Sequence, residues 1–361
     1  GYDDAGQHAL TQRNYYDTKI AASIALLYRR PRVWNEAFHS SGWGRTTDQT
    51  LTWLTTGMAF GANLYDEHGL YYDTRAGTWE HAAPDPHWRQ PYWRYYQTLS
   101  DYVARSSFLM SQGVHVVDAA VHYPVASLLA GQLPDVQEPD YNLYMRLSRT
   151  IFDAGIDNDI IDDDSIVNAR VRNGKLFAGG NGYRALVFGP ETTMRREVLE
   201  KAFQLAKTGG TVLFYHQLPR ATTESGRNDA HLDRLLEKLL GTGEISAIGE
   251  EAVTKDFPSG GFSAFIPGQP ARLPELITQH VSRDFLPAQN NVFATHRRSG
   301  DVDIYLVQNK ASDPVMFKAR FRTTGVPEIW DAFSGQTKPV RFFKTSNGFV
   351  TVEHRLVGNT A

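Results

Sequence analysis

The stretch 33–72, VWNEAFHSSGWGRTTDQTLTWLTTGMAFGANLYDEHGLYY, constrains this chain more than any other. An apolar run at Val33 and Trp34 reaches Glu36 and meets a Gly-containing loop, Ser40-Ser41-Gly42-Trp43-Gly44. Thr46, Thr47 and Asp48 then offer side-chain oxygens to the first turn of a helix. Its apolar positions Leu51, Leu54, Met58 and Ala59 run to Gly61, a natural helix stop. A second short strand, Ala62-Asn63-Leu64-Tyr65, delivers Asp66, Glu67, His68 and Gly69. The pattern is strand, loop, helix, strand, with a carboxylate at the C-terminal end of each strand. In parallel α/β folds those ends are where chemistry is placed.

Glu36 and Glu67 stand among Trp34, Trp43, Tyr65, Tyr71, Tyr72 and His39. Sugar rings stack their C–H faces on aromatic side chains. Breaking a glycosidic bond needs one carboxylic acid to protonate the leaving oxygen and a second carboxylate to activate water or attack carbon. Carboxylates on adjacent strand ends suit either spacing, so retention and inversion both stay open. The competing reading makes Glu36 a structural partner of Arg45 or Arg32. It makes Glu67 a group that merely orients His68, the second catalytic group then lying upstream of this sequence. His39, Asp66 and His68 are candidate ligands for sugar hydroxyls, and Trp43, Tyr71, Tyr72, Trp79 and Trp88 candidate stacking platforms. Trp34 and Trp53 read as core. Asp66, Glu67 and His68 do not make a metal cluster, because consecutive strand residues point to alternating faces. No metal ligand is assigned; calcium beside the sugar, bound by carboxylates and carbonyls, stays open although no spacing supports it.

Composition narrows the class. With 361 residues, 41% of them hydrophobic, the chain can bury cores for two or three domains. A net charge of -3 gives no electrostatic case for nucleic acid or an anionic membrane. No apolar run approaches the ~18 residues of a membrane-spanning helix. Cysteine is absent, which excludes disulfides, zinc-thiolate sites and a cysteine nucleophile.

Residues 14–30 read as a helix ended by Pro31. Strands at 33–36 and 62–66 flank a helix at 47–60. The segment 73–92 reads as a long irregular loop whose Trp79, His87 and Trp88 suit a cover over a site. An amphipathic helix at 93–112 stops at Gly113, and 114–123 (VHVVDAAVHY) reads as one buried parallel strand. These few units fall short of the eight strands of a (β/α)8 barrel. Residues 1–135 are therefore expected to be the closing part of such a barrel, completed by an upstream segment or a partner chain.

Residues 136–280 alternate between elements: helix 142–154, acidic loop 157–164, strand near 166–171, turn at 174–182, strand 183–188, helix 191–207, strand 211–215, helix 229–240. That order predicts a small doubly wound, flavodoxin-like α/β domain. Residues 281–361 alternate in strand-like runs split by Gly, Asn and Asp, which predicts an antiparallel β-sandwich, truncated at its C-terminus. The acidic run Asp157, Asp159, Asp162, Asp163 and Asp164 lacks the Gly and Glu of a calcium loop and reads as a solvated cap. Arg105 reads as a structural salt-bridge partner.

Several of these motifs carry a resemblance. Glu36-Ala37-Phe38 with Gly42-Trp43, the Asn63…His68 strand, Trp93…Tyr102-Val103-Ala104-Arg105 and Gln112-Gly113…Asp118…Tyr123-Pro124 resemble the large bacterial glycoside hydrolases of family 106, the α-L-rhamnosidases and their relatives. The resemblance implies a glycosidase acting on a plant or microbial oligosaccharide or polysaccharide in the periplasm or outside a bacterial cell. Glu36 would be base or nucleophile, and Glu67 the second carboxylate or a sugar ligand. The middle domain resembles the accessory domain that follows the barrel in such enzymes. A variant of this reading is a β-galactosidase-like homo-oligomer that trimerises through that domain. The alternative of another class is a non-catalytic carbohydrate-binding or assembly fragment. One observation separates them: whether Glu36 and Glu67 open into one cleft.

Overall fold

The computed structural model describes residues 2–5, 12–69, 71, 88–133, 140–242, 252–268, 271–289, 291–309, 311 and 313–358. The chain divides into two compact units, the first comprising 1–26, 30–116 and 284–361 and the second 27–29 and 117–283. The α/β boundary expected at 135/136 thus falls inside the second unit.

The first unit begins with three parallel strands in the order β1-β2-β3: β1 (Tyr2–Ala5), β2 (Trp34–His39) and β3 (Leu64–Glu67). Strand β1 has no counterpart in the sequence reading. Helix α1 (Gln12–Leu27) joins β1 to β2, and α2 (Thr47–Phe60) joins β2 to β3. Helix α2 starts as its side chains dictate: Thr46 accepts from the Gln49 amide and the Gln49 side chain accepts from the Thr46 amide. It ends at Gly61, whose φ of 114° is a left-handed cap, where an added Cβ would stand 2.5 Å from that of Ala22. Helix α3 (Tyr96–Met110) follows a single 3-10 turn at Trp93–Tyr95. Ala37, Phe38, Trp53 and Leu54 form a core cluster against which Tyr65, Leu99 and Val103 pack, so α3 is seated on β2 and α2.

The run 114–123 is two strands, not one. Strand β4 (Val114–His115) pairs antiparallel with a strand near the C-terminus of the same unit, whereas β5 (Ala119–His122) belongs to the second unit. An apolar run has no internal mark for such a break. The break comes where the Asp118 carbonyl accepts from the amides of Arg184 and Ala185, at 2.7 and 2.9 Å.

The second unit is built on a six-stranded sheet: β5, β6 (Asn158–Ile161), β10 (Ala185–Phe188), β12 (Thr211–Tyr215), β15 (Val253–Asp256) and β16 (Phe262–Ile266), ordered β15-β16-β12-β10-β5-β6. All neighbours are parallel except the edge strand β15. Counting only parallel strands in chain order, the sequence across the sheet is 2-1-3-4-5. Helices α4 (Val125–Ala130), α5 (Tyr141–Asp153), α6 (Asp163–Val167), α7 (Arg196–Lys207), α8 (Ala230–Leu240) and α9 (Arg272–His280) accompany it. β5, β6, β10, β12 and β16 are buried along their whole length, as covered parallel strands must be. The strand expected near 166–171 is instead the end of α6 and β7 (Arg170–Arg172), which forms a meander with β8 (Lys175–Ala178) and β9 (Asn181–Tyr183). A small sheet of β11 (Thr193–Met194), β13 (Ala221–Thr222) and β14 (Gly226–Arg227) completes the unit.

The acidic run is not solvated throughout. Asp159 is buried and accepts from the Tyr183 hydroxyl at 2.9 Å, and Asp162 caps α6. Asp163 lies 2.6 Å from His122 Nε2, and Glu191 lies 2.8 Å from His122 Nδ1. Burial alone would push this imidazole toward neutrality, but Glu191 and Asp163 outweigh it and raise its pKa to about 10.

The first unit resumes with β17 (Phe285–Pro287), β18 (Val292–Ser299), β19 (Val302–Asn309), β20 (Val315–Phe321), β21 (Glu328–Trp330), β22 (Thr337–Pro339), β23 (Phe343–Ser346) and β24 (Phe349–Leu356). Two antiparallel sheets, β17-β20-β24-β23 and β19-β18-β4, share a core of Phe285, Val292, Phe317, Phe321, Val350 and Val352. Gly113 is required where β4 begins, since a Cβ there would stand 1.8 Å from the Arg298 carbonyl oxygen. Gln308 donates to the Thr55 and Thr56 hydroxyls of α2. Arg105 donates to the Ala332 and Phe333 carbonyls and lies 3.6 Å from Asp101, so it is structural, chiefly through backbone contacts.

Candidate active site

The register of β2 and β3 decides which side chains meet at the site. Glu36 stands opposite Asp66, and Ala37 opposite Glu67. In parallel strands, partners share a face and successive residues alternate. Glu36, Asp66 and His68 therefore share one face, while Ala37, Tyr65 and Glu67 share the other. The contacts agree. His68 Nδ1 lies 2.7 Å from Glu36 Oε1. On the opposite face, Tyr65 donates its hydroxyl to the Leu54 carbonyl of α2 at 2.9 Å.

The ladder continues one residue past β3, because the His68 amide donates to the Ala37 carbonyl at 3.0 Å. Gly69, at a φ of 95°, then turns the chain away. The end of β2 is bent as well. Phe38 and Ser40 hold φ values of 75° and 56°, which L-residues seldom adopt. The bend sends the Phe38 ring into the core against Trp53, 5.2 Å between centroids. It leaves the His39 ring beside that of His68, 4.4 Å away. Three groups thus converge at the strand ends: the Glu36 carboxylate, the His68 imidazole that donates to it, and the His39 ring. Asp66 stands beside Glu36 on the same face.

Glu67 has different company. Tyr96 of α3 donates its hydroxyl to Glu67 Oε1, and Arg45 lies close enough to act on its charge. Burial pushes the Glu67 carboxyl up to about 7, against the pull of Arg45, with Asp66 adding to the rise. Arg45 is buried, lies 3.9 Å above the Phe38 ring and donates to Ser41 Oγ at 3.1 Å. Burial lowers its pKa, with Tyr92 and Glu67 pulling the other way.

The sequence reading placed Glu36 and Glu67 in one catalytic pair. The register separates them, since an odd number of steps along the strand turns the side chain to the other face. Glu36 is paired neither with Arg45 nor with Arg32, whose Nη1 donates to the Asn63 carbonyl. Trp53 is core, as expected, whereas Trp34 is only half-buried. Trp43 and Trp88 are exposed, Trp88 with the Arg89 guanidinium 4.5 Å over its ring, and Tyr71 is half-buried. Tyr72, Trp79 and His87 lie outside the described residues. Tyr96 was missed altogether. Its signal was its place one turn before Leu99 on the face of α3 that packs on β2. Among the described residues no group of three or more His, Cys, Asp or Glu could hold a metal ion.

This arrangement can place a half-exposed, hydrogen-bonded carboxylate against a polar substrate. Comparison with known proteins gives it a family. The α-L-rhamnosidase family of glycoside hydrolases matches residues 4–344. A putative β-glucuronidase from Formosa agariphila is 27% identical over 254 residues, 68% of this chain and 19% of that protein. The rhamnosidase of Novosphingobium sp. PP1Y is similar in structure, with a TM-score of 0.70 at 21% identity over 95% of this chain and 32% of that one. A β-galactosidase from Rahnella sp. R3 has a TM-score of 0.66 at 11% identity, over 97% and 60%. At such identities the structural likeness shows the fold alone. The chain spans 19% of the curated relative and 32% of the solved rhamnosidase. With the family profile matching nearly its whole length, the chain belongs to glycoside hydrolase family 106, the α-L-rhamnosidase family.

Proposed function

We propose that the chain carries part of the active site of a glycosidase that hydrolyses α-L-rhamnosides in oligosaccharides or polysaccharides. The observation that carries this is Glu36. It stands on the parallel strand β2 opposite Asp66, one step before the last pair of the β2–β3 ladder, holds a hydrogen bond from His68 and is about one-third exposed. A carboxylate so placed can activate water or attack the anomeric carbon. His68 orients it, and Asp66 and His39 are the proposed partners of sugar hydroxyls. Trp43, Tyr71 and Trp88 are the proposed stacking surfaces.

In this reading β1, β2 and β3 are closing strands of a (β/α)8 barrel. The 2-1-3-4-5 strand order of the second unit is the flavodoxin-like order. Glu67 faces away from Glu36, which by itself favours a non-catalytic carbohydrate-binding fragment; in the glycosidase reading the second catalytic carboxylate is proposed to come from another strand of that barrel. The test is the full-length protein assayed on aryl α-L-rhamnosides, β-galactosides, β-glucuronides and α-L-arabinosides. Glu36→Gln is expected to lower kcat on the order of 10³-fold with substrate still bound. An unchanged kcat would move the chemistry away from Glu36, and sugar binding without turnover by the wild type would favour a binding module.

A further inference from the structure

The site just described leaves Glu67 without a role in the reaction, although it directly precedes His68. We propose that Tyr96, acting through Glu67, is a positioning residue: it fixes the end of β3 so that His68 meets Glu36. The proposal rests on the glycosidase reading above.

Strand β3 has only four residues, and β2 is its single strand partner among the described residues. Short strand ends fray unless side chains tie them down. Past Glu67 the ladder holds by one bond, from the His68 amide to the Ala37 carbonyl, before Gly69 turns away. His68 has to keep its ring nitrogen 2.7 Å from Glu36 across that single bond. The tie comes from the opposite face, where Tyr96 donates to Glu67 Oε1. Tyr96 is carried by a rigid element, since Leu99 and Val103 seat α3 on Ala37, Phe38, Trp53 and Leu54. Residues three apart on a helix lie on one side, so Tyr96 stands over the same contact as Leu99.

Three sources of charge or hydrogen bonding act on the Glu67 carboxyl. Tyr96 reaches it from α3, Arg45 from the loop after β2 with Tyr92 beside that arginine, and Asp66 from its own strand. A carboxyl so surrounded changes its hold on Tyr96 and Arg45 when it gains or loses a proton. The alignment of His68 follows that change, and a misplacement of a fraction of an ångström is enough to alter turnover without altering substrate affinity.

The experiment uses full-length protein and compares wild type, Tyr96→Phe, Glu67→Gln and the double variant, with Glu36→Gln as reference. Tyr96→Phe keeps the ring and its packing and removes only the donor. It is expected to lower kcat about tenfold to a hundredfold with KM unchanged. Glu67→Gln keeps an acceptor for Tyr96 but cannot titrate, so it is expected to remove a step near neutral pH from the kcat profile. The double variant is expected to lose less than the product of the two single losses, as coupled groups do. Amide hydrogen exchange of peptides covering 64–69 is read in parallel and is expected to speed up in Tyr96→Phe.

If Glu36→Gln is inactive while both single variants keep wild-type kcat and pH profile, the positioning role is overturned and the glycosidase reading stands. Unchanged exchange at 64–69 in Tyr96→Phe overturns it independently of activity. If the wild type turns over no glycoside, the functional reading fails, and the exchange result still decides whether Tyr96 holds the strand. Should Tyr96→Phe fail to fold, the loss or persistence of the neutral-pH step in Glu67→Gln decides the matter.

Discussion

Each unit of the molecule pairs a histidine with carboxylate at the C-terminal end of a parallel strand, and the two pairs could hardly be used more differently. In the first unit the His68 and Glu36 side chains are 28% and 33% exposed. In the second, His122 and Glu191 are each 1% exposed, with Asp163 on the other ring nitrogen. Residue types are the same, and each histidine stands at the end of a parallel strand. Access to water differs, and it decides what the pair can do. An exposed pair costs little to rearrange and can meet a substrate. A buried ionic cluster is held by partners that have no alternative, because each lost its hydration on folding.

The comparison breaks most sharply under substitution. His122→Ala leaves Glu191 buried without its cation and is expected to destabilise the protein by about 3–5 kcal/mol, read as a shift in the denaturant midpoint. The sign with pH follows from the raised pKa of about 10. The contribution of His122 is fully present below the ordinary imidazole pKa and is lost as pH rises through 10. A variant as stable as wild type would mean that the cluster adds nothing. His68→Ala should do the reverse. Its stability cost is expected to stay within about 1 kcal/mol, as for solvent-exposed pairs. Under the proposed reaction kcat should fall on the order of 10²-fold, as for a lost orienting contact. Equal loss of stability in both variants would erase the distinction drawn here.

Much of the first unit was legible. The N-cap residues and Gly61 fixed the bounds of α2 to the residue, because caps are local chemistry. The face of Glu67 was not legible. Strand alternation separates Asp66, Glu67 and His68 within one strand, but the face of Glu67 relative to Glu36 depends on register, which is a property of two strands together. The break inside 114–123 was hidden for a related reason. Continuous apolar residues satisfy β4 and β5 equally, and only partners distant in sequence, at 297–298 for one and 185–187 for the other, tell them apart. The ionic cluster of the second unit was equally out of reach, since His122, Asp163 and Glu191 meet only when β5, β6 and β10 lie side by side. Nothing near Asp163 in sequence announces a cation, so its local context alone predicts a solvated carboxylate.

The smallest of the expected effects concerns a carboxyl that belongs to neither pair. Glu67 titrates near 7 in the folded protein, above its ordinary value of 4.5, because burial outweighs Arg45. Between those two pH values the folded state holds a proton that the unfolded chain has released. Stability therefore falls as pH rises from about 4.5 to about 7, by at most one proton's worth of slope, and levels off beyond. Glu67→Gln should flatten that part of the stability curve measured by urea titration at several pH values. Arg45→Met, by removing a charge that favours the carboxylate, should leave the onset of the fall near 4.5 and extend its upper end to higher pH. If the slope survives in Glu67→Gln, another group carries it, and the contrast fails between a half-exposed Glu36 and a proton-holding Glu67, which stand on adjacent strands one step apart in register and on opposite faces.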